Sequence, residues 1–257
     1  MIAQSIRAHA KAVIPYVTAG LPNLDLTGRI LLALQEAGAA AVEIGIPFSD
    51  PMADGPVLQK ASHLALQAGF RMDDLMQRLK GWSTMLDVPL IVMSYINPLM
   101  RRGLRGTLAR LKEGGVDGVI IPDLPRDADR IHADCRETGL DLIRLLAPTT
   151  VPERAKEVLH QCSGFVYAVS VKGVTGQRTS MPEGIRDQVA SIKALTDLPV
   201  CVGFGVSRAS QVSELLGFAD GVIVGSYIMQ EIMEAHDPVQ AAQDALRGLM
   251  NGGGRRS

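Results

Sequence analysis

Gly114-Gly115-Val116-Asp117-Gly118-Val119-Ile120-Ile121 is the stretch on which the fold turns. Its glycine pair stops a helix, because glycine adopts the left-handed backbone that helix ends favour. An apolar, β-branched run follows within a few residues, which suits a strand covered on both faces. The same punctuation recurs at Ala37-Gly38-Ala39, Thr138-Gly139-Leu140 and Gly217-Phe218-Ala219-Asp220-Gly221. This weak repetition marks a reiterated strand–helix unit. Working outward, strands are expected at Val13–Val17, Ala41–Ile46, Leu90–Ser94, Gly118–Ile121, Asp141–Leu145, Phe165–Ala168, Val200–Gly203 and Gly221–Val224. Between them the spacing turns helical. Ile185, Val189 and Ile192 share one face, and Ile30, Leu31 and Leu34 another, with Asn23 placed to cap and Gly38 to end that helix.

Eight such units in 257 residues point to an α/β chain folded as a (β/α)8 TIM barrel, one domain over residues 1–250 with a flexible tail at 251–257. A doubly wound open sheet is the alternative, but it carries roughly five or six strands and a Gly-x-Gly-x-x-Gly turn after the first. Here Gly203-Phe204-Gly205-Val206-Ser207-Arg208 comes late and lacks the third glycine.

Composition narrows the function. With 26 Lys+Arg against 27 Asp+Glu and 4% aromatic residues, the chain offers no basic stacking platform for nucleic acid. Its longest stretch free of Asp, Glu, Lys and Arg, Val158–Val171, falls short of the roughly 20 residues that a membrane helix needs. No targeting segment is expected, since Pro15, Gly20 and Pro22 interrupt the first apolar stretch. Cys135, Cys162 and Cys201 are scattered and odd in number, which reads as reduced thiols and a cytoplasmic protein. The five histidines are isolated, so no metal site is expected.

Two connections after strands are long, Pro47–Val57 and Val171–Glu183. In such a barrel they emerge at the C-terminal rim, as candidate lids or as tolerated insertions. Glu43 is the unusual residue. In Ala41-Val42-Glu43-Ile44-Gly45-Ile46, the alternation puts Val42, Ile44 and Ile46 on one face and Glu43 on the other, inside the barrel. A desolvated carboxyl there gains pKa and becomes a proton donor near neutrality, unless a neighbouring donor satisfies it structurally. Asp50 and Asp54 follow among stiffening prolines, as turn residues or, for Asp54, as a second carboxylate for acid–base work. Gly205, Gly225 and Ser226 lie at the ends of the last two strands, where backbone N–H groups can hold a phosphate.

The run Glu43-Ile44-Gly45-Ile46-Pro47-Phe48-Ser49-Asp50-Pro51-Met52-Ala53-Asp54-Gly55-Pro56 resembles the signature of the tryptophan synthase α chain family. Further likeness spans Tyr16-Val17-Thr18-Ala19-Gly20, Ser94-Tyr95-Ile96-Asn97-Pro98, Pro122-Asp123-Leu124-Pro125, Leu146-Ala147-Pro148-Thr149-Thr150, Gly173-Val174-Thr175-Gly176 and Val202-Gly203-Phe204-Gly205-Val206-Ser207. The resemblance implies retro-aldol cleavage of indole-3-glycerol phosphate to indole and glyceraldehyde 3-phosphate, with no cofactor in this chain. It implies that Glu43 is the catalytic glutamate, Asp54 the aspartate beside the indole nitrogen and Tyr167 a catalytic-site tyrosine. Thr175 matches the mobile-loop threonine, Gly176, Gly205, Gly225 and Ser226 the phosphate positions, and Tyr95 and Leu58 the indole pocket. Asp50, Asn97 and Pro125 match rim positions facing a β chain that carries pyridoxal phosphate, in an α2β2 heterotetramer.

Two features depart from the family pattern. Few residues precede the first strand, so the bottom of the barrel is expected to be plugged differently. Val171 stands where some relatives have arginine, with Lys172 beside it. The rival readings are an isomerase or epimerase acting on a sugar phosphate, and a non-catalytic subunit that only activates β.

Overall fold

The computed structural model describes residues 1–124, 128–169, 184–203 and 205–251. The chain opens with α1 (Ile2–Ala8), β1 (Val13–Thr18), α2 (Leu24–Glu36) and β2 (Val42–Gly45). Two helices follow, α3 (Pro56–Gln67) and α4 (Met72–Met85), then β3 (Leu90–Met93), α5 (Ile96–Met100), α6 (Leu104–Glu113) and β4 (Gly118–Ile120). Next come α7 (Asp129–Thr138), β5 (Asp141–Leu146), α8 (Pro152–His160), β6 (Val166–Val169) and α9 (Ile185–Lys193). The chain closes with β7 (Val200–Gly203), α10 (Ala209–Leu216), β8 (Gly221–Val224), α11 (Ser226–Glu234) and α12 (Pro238–Asn251).

Every strand pairs in parallel with its sequence neighbour and β1 pairs with β8, so the sheet is a closed barrel. All eight expected strands are present, and the (β/α)8 fold is the one expected. The alternation holds along β2. Val42 and Ile44 pack outward against the helices, whereas Ala41 joins the barrel interior with Ile14, Ile91, Ile120, Ile143, Phe165 and Ile223. These inward residues form the apolar interior around and beneath Glu43, with Ile91 its register partner on β3 and Ile120 and Ile223 lining the same cavity.

The short N-terminal segment still plugs the bottom. In α1, Ile2 and Ile6 are buried and join the interior cluster, with the Ile2 side chain against Gly118. Ser5 Oγ donates to the Ala40 carbonyl at 2.6 Å, and Arg7 donates to the Asp197 carbonyl. A seven-residue helix therefore does the work expected of a longer one.

Asn23 caps α2 as expected, its side chain accepting from the Leu26 N–H at 2.9 Å. One boundary needs correcting. The loop expected over Pro47–Val57 ends at Gly55, because Pro56 begins α3. Proline suits the first helical turn, where its missing N–H would have had no partner. The expected loop at 171–183 lies outside the described residues, as do 252–257 of the expected tail; Asn251 itself ends α12.

Candidate active site

β2 ends two residues past Glu43, and its inward face delivers that carboxyl into the barrel, 1% exposed. Its Oε2 is buried with no hydrogen-bond partner. Burial, and secondly the nearby Asp54, push its pKa up to about 8. Asp54 reaches the same space from the loop between β2 and α3 and is 5% exposed. Its N–H donates to the Pro51 carbonyl at 3.1 Å, and its own carbonyl accepts from Gln59 Nε2 at 2.8 Å.

Tyr95, just before α5, ties this loop down. Its hydroxyl accepts from the Ala53 N–H at 2.8 Å and is hydrogen-bonded to the Asp54 carboxyl. The Tyr95 and Phe48 rings pack with centroids 5.2 Å apart. Burial raises the Asp54 pKa to about 6, and the Tyr95 hydrogen bond restrains the rise. The two carboxyls are thus separated by environment. Asp54 has a donor and Glu43 has none.

Both open into a cavity of about 240 Å³ that is also lined by Tyr16, Leu58, Tyr167, Gly205, Gly225 and Ser226. Tyr167, on β6, lays its hydroxyl over Gly203 of β7. Gly225 is the N-cap of α11 and Ser226 its first residue, so the first turn of that helix faces the cavity. The carboxyl pair together with the N-terminal turn of α11 suits a substrate with a reacting carbon and an anionic tail.

The expected residues Glu43, Asp54, Tyr167, Leu58, Gly205, Gly225 and Ser226 thus meet in one cavity, with Tyr95 behind Asp54. Asp50 and Asn97 stay exposed on the rim. A wider groove of about 550 Å³ runs there, lined by Asn97 with Phe48, Phe70, Arg71 and Arg101. Thr175, Gly176 and Pro125 lie outside the described residues. Sequence reasoning did not single out Tyr16 as a site residue. Its signal was the inward parity that it shares with Ile14, and it pairs in register with Glu43. No group of three or more metal-ligating side chains occurs among the described residues.

The family model of the tryptophan synthase alpha chain matches residues 2–251. The chain belongs to the tryptophan synthase alpha chain family. A tryptophan synthase alpha chain from Carboxydothermus hydrogenoformans is 44% identical over 241 residues, 93% of this chain and 90% of that one. One from Synechococcus elongatus is 43% identical over 225 residues, 87% and 85% of the two chains. Among solved structures, the tryptophan synthase A-subunit of Pyrococcus furiosus superposes with a TM-score of 0.88 at 37% identity, covering 94% of this chain and 98% of that one. The tryptophan synthase of Mycobacterium tuberculosis gives 0.88 at 34% identity, covering 98% and 96%. Membership in the tryptophan synthase alpha family implies a lyase. Among the described residues, no helix is long and apolar enough to cross a membrane.

Proposed function

We propose that this chain cleaves indole-3-glycerol phosphate to indole and D-glyceraldehyde 3-phosphate by a retro-aldol step, without a cofactor of its own. The observation that carries the reading is the pair of dissimilar carboxyls in one cavity, Glu43 with a pKa of about 8 and Asp54 with one of about 6. Near pH 7 the first is protonated and the second ionised. Breaking the bond from indole C3 to the glycerol chain needs a proton delivered to C3, and Glu43 supplies it. Positive charge grows on the ring N–H as C3 is protonated, and the Asp54 anion stabilises it in a site closed to water. The glycerol hydroxyl must lose its proton as the aldehyde forms, and the Glu43 carboxylate is then free to take it.

Leu58 and Tyr95 supply apolar surface for the indole. Gly205, Gly225 and Ser226 hold the phosphate and Tyr167 packs against the substrate; the family likeness adds Gly176 to the phosphate contacts and Thr175 to the site. Indole passes to a β chain that carries pyridoxal phosphate, docked on the rim at Asp50, Asn97 and Pro125 in an α2β2 assembly. The purified chain, with and without β, is incubated with indole-3-glycerol phosphate and free indole is measured. Release in both cases, faster with β, is expected. No indole under either condition would overturn the assignment.

A further inference from the structure

Tyr16 and Glu43 are register partners on β1 and β2, and both line the cavity. The Tyr16 ring runs from beside Gly225, where a Cβ would sit 3.5 Å from its own Cβ, to the backbone of Gly45. A Cβ on Gly45 would lie 1.9 Å from the Tyr16 hydroxyl oxygen, so only glycine leaves that oxygen its place. The hydroxyl therefore sits two residues above Glu43 on the same inward face of β2.

Its hydrogen bonding is incomplete. Thr18 Oγ1 donates to it over a long 3.4 Å, and the phenolic proton has no acceptor among the described residues. Across the strand pair, Glu43 Oε2 is a buried acceptor with no donor. A buried donor and a buried acceptor left unsatisfied both cost stability, so facing groups of this kind are complementary once an extra charge is at stake. While Glu43 is protonated little is lost. When it becomes a carboxylate in a dry cavity, it needs a donor, and Tyr16, its register partner on β1, has one to give.

We propose that Tyr16 is a positioning residue for Glu43: when Glu43 has given up its proton, the Tyr16 hydroxyl donates to Oε2 and holds the carboxylate in place until it is reprotonated. Tyr167 also feels the Glu43 charge but has its hydroxyl over Gly203 of β7, and Asp54, whose charge also reaches Tyr16, is engaged by Tyr95. The titratable groups that face Glu43 from the described elements are Tyr16 of β1, Asp54 of the β2–α3 loop and Tyr167 of β6. The catalytic importance of the bond rests on the retro-aldol reading above, but the bond itself does not, and the two are tested apart.

The full chain, carrying carboxyl-13C glutamate, is titrated by NMR, with Glu43→Gln to assign the resonance. The wild-type midpoint is expected at about 8. Tyr16→Phe removes the donor to the anion, so its midpoint rises by about half a unit or more, roughly a threefold gain in proton affinity. A variant that merely loosened the barrel would admit water and lower the midpoint toward ordinary glutamate. An unmoved or lowered midpoint therefore overturns the proposal. A ring-fluorinated tyrosine at position 16 keeps the packing and is a stronger donor, so it must lower the midpoint; failure to do so also overturns it. In steady state, Tyr16→Phe moves the alkaline limb of kcat upward by the same shift and leaves KM little changed. If wild-type protein releases no indole, the retro-aldol reading fails while the titration still decides the role of Tyr16.

Discussion

The hydroxyl of Tyr167 lies 2.4 Å from the point where a side chain on Gly203 would begin. The two residues sit in register-paired strands, β6 and β7, at the cavity wall. Gly203→Ala must push the phenol into the cavity or the strands apart, at about 1–3 kcal/mol, the usual range for overpacking. Chemical denaturation should show that loss, with weakened substrate binding. Full stability and binding in Gly203→Ala would show that the wall is soft. Shortening Tyr167 to Leu in the same chain should recover part of the stability.

Glu43→Gln is expected to lower indole release by well over tenfold, a barrier increase above about 1.4 kcal/mol. The proposed step needs Glu43 protonated and Asp54 ionised, so turnover in wild type should rise through about pH 6 and fall through about pH 8. A flat profile between pH 5 and 9 under chemistry-limited conditions would exclude this division of labour.

The same substitution should stabilise the fold at high pH. The folded pKa of Glu43 lies above the model-peptide value of 4.5, so the unfolded chain loses this proton first as pH rises. Its contribution to stability is complete below about pH 4.5 and is lost progressively until about pH 8. Glu43→Gln removes that slope. At pH 9 it should exceed wild type by on the order of 2–4 kcal/mol in urea denaturation, and the gap should vanish near pH 4. Parallel pH profiles for the two proteins would mean that Glu43 is not held neutral.

Tyr95→Phe removes the donor to Asp54 and the acceptor for the Ala53 N–H together. The Asp54 pKa should rise, moving the acid limb of turnover upward by about half a unit or more while the alkaline limb stays. A buried amide without a partner costs about 1–3 kcal/mol, which should loosen the loop. Faster amide exchange at Ala53 and Asp54 measures it.

Gly225 has φ −107°, which any residue can adopt, and a Cβ there meets only ordinary contacts with Tyr16 and Leu58. Gly225→Asp therefore adds a negative charge beside the first turn of α11 without straining the backbone. Binding of glyceraldehyde 3-phosphate should weaken by tenfold or more, about 1.4 kcal/mol, by calorimetry. An unchanged affinity would remove the phosphate from this end of the cavity. Gly205, at φ +89°, is a poorer test because any side chain is strained there.

Much of this was readable in the chain because parallel strands buried on both faces write themselves as short apolar runs between glycines. Within β2, a period of two was enough to aim Glu43 inward from its neighbours Val42 and Ile44. Boundaries were less legible. The proline at 56 stiffens a loop or opens a helix equally well, and only the N–H partners around Gly55 decide which. Tyr16 escaped notice because a phenol in an apolar strand reads as core, and its importance comes from Glu43, which is its neighbour only through the sheet. Likewise, nothing local in the first residues says that Ile2 and Ile6 will seal the barrel from below.

That seal limits the traffic of hydrogen. Among the described residues, the interior cluster under the cavity is made of isoleucines, alanines, Phe165, Cys201 and the α1 plug, with no carboxylate or histidine to relay a proton, so the carboxyl exchanges protons through the mouth of the barrel. A substrate filling about 240 Å³ stoppers that mouth. On the retro-aldol reading, the hydrogen that Glu43 takes up then has no route to bulk water until a product departs, and reversal would hand it back to the molecule it came from. Indole labelled with deuterium at C3 and mixed with glyceraldehyde 3-phosphate in ordinary water would keep much of its label through a single backward and forward passage, because the hydrogen taken from C3 waits on Glu43. Washout would follow the rate of product escape and not that of bond cleavage.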